Sequence, residues 1–395
     1  MRTETYGLRA AVGAVLSATV VLAAAAPAQS VGTDPWVRSW GTNAAGQLGN
    51  KSMVDQPTPG SVPELHRADV REVAAGGYSD TTGFAVAALD DGTVKSWGAN
   101  VTGVLGNGTQ TGQSASATVA GLTGVTAIAA GQEHVVAVSG GRVLAWGANQ
   151  YGQLGNGETV PLNDGTANRP VVVQSLDRVT DVGAGSAFSV ALREDGTVWT
   201  WGAGHNGRLG HGDTTNINTP RQVAGLKDVV AISVGLQHTL ALGADGSVSA
   251  WGHGGMGRLG TDSQDDSPVP VEVAHLEGVS RIYAGGRHNF AVLEDGEVRA
   301  WGANASGQLG DGTMTDRTTP VPIDALRDIQ ELDPGADHSL AVRTDQSVVS
   351  WGANAAGQLG DGSTTPSLAP VEVLPAGSGI THVDAATNAN SSYAY

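Results

Sequence analysis

Four histidines stand in one recurrent setting, Gly-x-x-His, at His134, His238, His288 and His338. Imidazole is a common metal ligand and the side chain best suited to moving protons near neutrality, so a ring of four would suit a metal centre or general acid–base chemistry. Repetition weighs against both. Phe188 fills the same slot in a fifth setting, which a metal ring would not tolerate, and the imidazole is expected instead to satisfy backbone groups of its own loop. Carboxylates recur in a similar way. Asp-Gly pairs begin at Asp91, Asp195, Asp245 and Asp295, each between two apolar runs, where a tight hairpin needs residues that accept positive φ. They read as turns, not as catalytic acid pairs. Loops such as Gly310–Asp316 are acidic and glycine-rich, which raises calcium; their oxygens lack the alternate spacing of a calcium loop, and the corresponding Gly106-Asn107-Gly108 has no carboxylate. No G-x-S-x-G, H-E-x-x-H or G-x-x-x-x-G-K motif is present. The chain is therefore expected to be no enzyme and to carry neither cofactor nor metal.

The elements that position these residues repeat. Trp-Gly pairs begin at Trp40, Trp97, Trp146, Trp201, Trp251, Trp301 and Trp351, with spacings of 57, 49, 55, 50, 50 and 50. One unit runs from Val279-Ser280-Arg281-Ile282-Tyr283-Ala284 through His288–Leu293, the Asp295-Gly296 turn and Val298–Gly302 to Pro320-Val321. Each piece is a short apolar run bounded by Gly, Asp or Pro, without the 3.6-residue spacing of a helix. Four antiparallel strands per unit and no helical connection make a propeller blade. With Gly at 58 of 395 residues and 40% hydrophobic residues, the glycines belong to turns of a packed fold and not to a flexible polymer. The Trp residues of the pairs are expected to pack between blades.

The chain ends complete the count. Trp36–Gly41 has no opening strands before it, and Ile380–Ala386 followed by Ser392–Tyr395 matches the opening strands of a repeat and then stops. The seventh blade is therefore expected to be built from both termini, which removes the exposed edges of an open stack. The fold class is all-β: a seven-bladed propeller of four-stranded antiparallel blades, with the ring closed by pairing of N- and C-terminal segments.

This pattern closely resembles the regulator-of-chromosome-condensation repeat family across residues 36 to 395. The resemblance is carried by Gly-Gln-Leu-Gly at 46–49, 152–155, 307–310 and 357–360, with Arg208, Arg258 and Val104 in the place of Gln, and by the Gly-x-x-His slot. It implies a seven-bladed propeller, in agreement with the independent count. It also supplies two precedents. The prototype exchanges guanine nucleotides and docks on chromatin through a basic tail, which an acidic chain without that tail does not match. A secreted bacterial member inhibits β-lactamase through aromatic loop side chains. Here the two residues before the slot are Gln132-Glu133, Ser186-Ala187, Leu236-Gln237, Gly286-Arg287 and Ala336-Asp337, with no aromatic among them.

Residues 1–28 read as a secretory signal peptide: Arg2 and Arg9 precede an uncharged run from Ala10, which ends in Ala26-Pro27-Ala28. Residues 29–35 form a short linker and 36–395 a single propeller domain. Loss of Arg2, Glu4 and Arg9 leaves 19 basic and 37 acidic residues, a net charge of −18, with Lys only at 51, 95 and 227. Such a chain repels phosphate backbones, so nucleic-acid binding is excluded, and no later stretch would insert in a membrane. A cysteine-free exported chain has no disulfide and relies on packing and closure.

Irregularities among the repeats locate the expected partner site. Extra residues lie within Gly77–Gly83 of one unit and Glu158–Arg169 of the next. If first and third connections share a face, Tyr78, Asp80, Glu158, Asn163 and Asp164 form one patch, with Tyr78 as anchor and the carboxylates favouring a basic partner. The expected function is a secreted, monomeric, non-enzymatic propeller that binds a protein or cell-envelope component through one loop face. The alternatives are an inhibitor of an extracellular enzyme such as a β-lactamase and, behind it, a guanine-nucleotide exchange factor or a polysaccharide-acting enzyme.

Overall fold

The computed structural model describes residues 35–159, 167–387 and 389–395. The signal-peptide expectation and most of the linker lie outside them. Seven four-stranded antiparallel sheets form a ring, as the repeat count requires. We number six blades in chain order from Val70–Gly76 and call the seventh the closing blade. The fifth shows the common plan: Val279–Ala284 innermost, then His288–Leu293, Val298–Gly302 and, outermost, Arg317–Pro322.

Local chemistry sets each strand and turn. In His288–Leu293 both faces are covered by neighbouring blades, so the strand is apolar without alternation and almost wholly buried. It reverses at Asp295-Gly296, where Gly296 takes φ 85° and Asp295 Oδ1 accepts the Glu297 N–H at 2.9 Å. Asp91, Asp195 and Asp245 accept the equivalent N–H groups of Thr93, Thr197 and Ser247. The Asp-Gly carboxylates are thus turn caps, as the sequence indicated.

The blades are held together at the seven buried tryptophans. Each indole N–H donates to the carbonyl of the second residue of the preceding unit's Gly-x-Leu-Gly: Trp97 to Gln47, Trp146 to Val104, Trp201 to Gln153, Trp251 to Arg208, Trp301 to Arg258, Trp351 to Gln308 and Trp40 to Gln358, at 2.6–3.1 Å. A large apolar surface and one satisfied donor therefore seal every junction. The ring closes as expected: Ser391–Ala394 pairs with Trp36–Gly41 on one side and with Val383–Ala385 on the other.

Candidate functional site

In a four-stranded antiparallel blade the first and third connections emerge at one end and the hairpin between the second and third strands at the other. The Gly-x-x-His and Gly-x-Leu-Gly loops therefore share one face of the ring, and the Asp-Gly turns occupy the opposite face.

The slot histidines belong to the blade junctions, not to a centre. Nε2 of His134, His238, His288 and His338 lies 2.9, 2.6, 2.8 and 2.9 Å from Ser189 Oγ, Asn289 Oδ1, Ser339 Oγ and Ser392 Oγ of the following blade. Each serine spends its own hydroxyl proton on the carbonyl of Gln153, Gln308 or Gln358, so it must accept from the imidazole. Asn289 likewise accepts from His238 and donates to the Arg258 carbonyl. The proton is thereby fixed on Nε2, and Nδ1 of all four rings is buried without a partner. Burial holds these imidazoles at about 3 to 4, well below their ordinary range, so they are neutral at physiological pH. The sequence reading had the ring serve its own loop; it serves the next blade, about 50 residues away. Where Phe188 replaces histidine, the corresponding hydroxyl, Thr239 Oγ1, is buried and unpaired.

A cavity of 290 Å³ on the ring axis is lined by the innermost strands, among them Glu72, Asp181, Asp333 and Asp384. Sequence reasoning missed this set, whose signal was a carboxylate inside an otherwise apolar opening strand. An innermost strand leaves its inner edge without a sheet partner, and the carboxylates fill in. Glu72 Oε2 accepts the Ile128 N–H at 3.0 Å, Glu331 Oε1 that of Val383 at 3.2 Å, and Asp333 Oδ2 that of Ala385 at 2.6 Å. Burial pushes Glu72 up to about 8 and Asp181 up to about 7, and raises Asp333 and Asp384 strongly. His382, bonded through Nδ1 to Glu331 at 2.7 Å, is raised by that contact. Among the described residues no cluster of His, Asp and Glu has the arrangement to hold a metal ion.

The described residues of the expected partner site lie on two connections of one face. Tyr78 is 53% exposed on a first connection, with its backbone N–H bonded to Thr82 Oγ1. Asp80 is engaged across the junction to the closing blade: its carbonyl accepts from Gln47 and its carboxylate from Asn390. Glu158 lies in a third connection of the neighbouring blade, its carboxylate bonded to Asn156. The two loops share a face, no hydrogen bond joins Tyr78 or Asp80 to Glu158 among the described residues, and Asn163 and Asp164 lie outside those residues.

Comparison with known proteins follows from this geometry. The family model described as the RCC1-like domain matches residues 36–392. The E3 ubiquitin-protein ligase HERC2 of Homo sapiens is 33% identical over 183 residues, 45% of this chain and 4% of that protein. The ultraviolet-B receptor UVR8 of Arabidopsis thaliana is 30% identical over 187 residues, 46% of this chain and 40% of that receptor. These matches span less than half of either relative. Among solved structures, human WBSCR16 superposes with a TM-score of 0.80 at 22% identity, covering 91% of this chain and 98% of that one. Prp20p of Saccharomyces cerevisiae gives 0.78 at 22%, covering 91% and 90%. At such identities the structural likeness establishes the seven-bladed fold.

Proposed function

We propose that this chain, which belongs to the RCC1-like domain family, is an exported, non-catalytic interaction propeller that recognises a protein or cell-envelope partner through its loop face. The observation that carries the reading is the engagement of the residues that looked chemical. The slot histidines bond the next blade, the Asp-Gly carboxylates cap turns, and axial carboxylates cap strand edges. What the loop face leaves free is side chains suited to binding, with Tyr78 the exposed aromatic among them. Family precedent agrees: Prp20p is described with binding to Gsp1p and histones, and yeast RCC1 (Prp20) was solved bound to Kap60. Export is supported by residues 1–28.

The test is a pull-down from culture supernatant and envelope fractions with the mature chain and its Tyr78→Ala variant. An exposed loop tyrosine buries little core, so stability should stay within about 0.5 kcal/mol, while partner affinity should fall by about 2 kcal/mol, as for an interface anchor. Equal capture by both proteins would remove Tyr78 from the site.

A further inference from the structure

Two of the seven Gly-x-Leu-Gly loops carry arginine where four carry glutamine, and the exchange alters more than one side chain. In the glutamine loops Oε1 accepts the N–H of the residue two positions earlier, at 2.8–2.9 Å for Gln47, Gln153, Gln308 and Gln358. Arginine has no acceptor, so its Nε donates backwards instead: Arg208 to the His205 carbonyl at 2.7 Å and Arg258 to the Gly255 carbonyl at 2.9 Å. Both guanidinium groups are pulled into the loop, leaving the residues 5% and 2% exposed.

From this shared placement the two diverge. Arg208 is well supplied: Nη1 donates to Ser186 Oγ at 2.8 Å and Nη2 to Asn206 Oδ1 at 3.1 Å. At the same two positions of the next unit stand Leu236 and Met256. Arg258 Nη2 therefore has only the Met256 thioether, 3.8 Å away, and Nη1 has no hydrogen-bond partner among the described residues. The following blade offers no help. Gln308 and Gln358 reach across to Asp337 and Asn390, whereas the position equivalent to Asp337 in front of Arg258 is Arg287. That second guanidinium is exposed, its nearest carboxylate that of Asp337 at 4.0 Å, and it lies close enough to repel Arg258, as does Arg208. His253 completes the group. Asp266 and Asp316 are near, but Asp266 is bonded to the Gly254 N–H and Asn206, and Asp316 to the Asn304 N–H. Asp266 and Asp316 thus supply negative charge nearby, but among the described residues no carboxylate is paired with the Arg258 guanidinium, and its unused donor reaches the surface beside a second cation, an arrangement suited to a bidentate anion.

We propose that Arg258 and Arg287 form a carboxylate-binding site that takes an Asp or Glu side chain of a protein partner. The inference rests on the loop-face reading above and deepens it. Planar oxygen pairs match the guanidinium fork, and the site opens on the loop face beside Met256, which is 37% exposed and offers the methylene groups of an acidic side chain an apolar contact. The chain's net charge of −17 opposes an acidic partner only at long range, since screening at physiological salt acts beyond about 8 Å.

The chain contains four methionines, so methyl-labelled methionine gives a spectrum in which Met256 reports on this site, while Met53 and Met314 serve as controls. Titration at physiological salt with capped hexaglutamate should move Met256 alone. Capped hexaglutamine should not move it. Arg258→Gln, which installs the residue of the other loops, should weaken hexaglutamate binding at least tenfold. Leu236→Ser should do likewise without altering charge, because it gives Nη1 the hydroxyl that Arg208 enjoys. A Met256 signal that is unmoved, that follows hexaglutamine equally, or that is unaffected by both substitutions overturns the site. If acetate is as effective as hexaglutamate per carboxylate, the assignment to a protein side chain is wrong. Failure here leaves the loop-face reading to be judged separately by the Tyr78→Ala pull-down.

Discussion

Replacing Glu72 by glutamine should make the propeller more stable in mild base and leave it nearly unchanged in mild acid. In the folded chain the Glu72 carboxyl is raised from 4.5 to about 8, mainly by burial, with Asp181, Glu331 and Asp384 adding negative charge around it and Arg71 opposing them weakly. A carboxyl whose pKa rises on folding holds its proton longer in the folded state, so stability is fully present below about pH 4.5 and is lost as pH climbs towards 8. A rise of this size corresponds to roughly 5 kcal/mol at about 1.4 kcal/mol per unit, of which roughly 4 kcal/mol is lost by pH 8, where the folded carboxyl is half ionised. Glutamine carries no charge to bury, and its carbonyl can still accept the Ile128 N–H that Glu72 holds at 3.0 Å. At pH 8 the variant should therefore melt about 6 °C above the parent, given the large unfolding entropy of a chain this long, and near pH 5 the gap should shrink to about 1 °C. The slot histidines, depressed to about 3 to 4, act in the opposite sense, with stability lost as pH falls below about 6.5, but they are common to both proteins and cancel in the difference. Circular dichroism melts at the two pH values suffice. A variant that melts at or below the parent at pH 8, or that keeps the parent's full pH slope, would refute the account of Glu72 as a neutral edge cap.

Other consequences are more local. Thr239→Val removes a buried hydroxyl that has no partner because Phe188 stands where other blades supply histidine; it should raise stability by about 1 kcal/mol in chemical denaturation, and a loss would show that the hydroxyl is satisfied after all. Deleting residues 380–395 takes away both C-terminal strands of the closing blade, along with Tyr393, which donates to the Gln47 carbonyl, and Tyr395, which accepts from Val73. That truncation should aggregate or fail to fold, and an undiminished melting temperature would contradict the closure. Exported protein should begin at Gln29 by mass spectrometry, and secreted material that retains Met1 would exclude cleavage.

The ring was legible in the sequence because its signals are local and repeated. Trp-Gly, Asp-Gly and the apolar runs each mark a strand or turn within a few residues, and the half-unit at Ile380–Ala386 could be matched to the half-unit missing before Trp36. Partners were less legible where they lie a full repeat away. His238 and Asn289 are 51 residues apart, so a reading confined to the loop assigned the imidazole to the wrong neighbour. Glu72 and Ile128 are joined across two blades by the same logic of the ring. A carboxylate in an apolar strand was visible, but its purpose depends on an unpaired edge that exists only once seven strands surround an axis.

The candidate site shows why recurrence is a poor guide to the individual function of such a protein. Gly-Arg-Leu-Gly occurs twice, at 207–210 and 257–260, and a motif search treats the copies as equal. What separates them is set 22 residues upstream and 2 residues upstream, where Ser186 and Asn206 give way to Leu236 and Met256. The first arginine is thereby consumed in holding its own blade's loops, whereas the second retains a donor that no described residue uses. A reading of insertions alone directs attention to Tyr78 and to the acidic 158–169 segment, and so to a basic partner. The unsatisfied guanidinium, on the same face but in loops of ordinary length, requires an acid. A partner that meets both would need an acidic side chain for Arg258 and a patch compatible with Tyr78, so the two sites are distinguished by opposite responses to charge reversal in whatever binds.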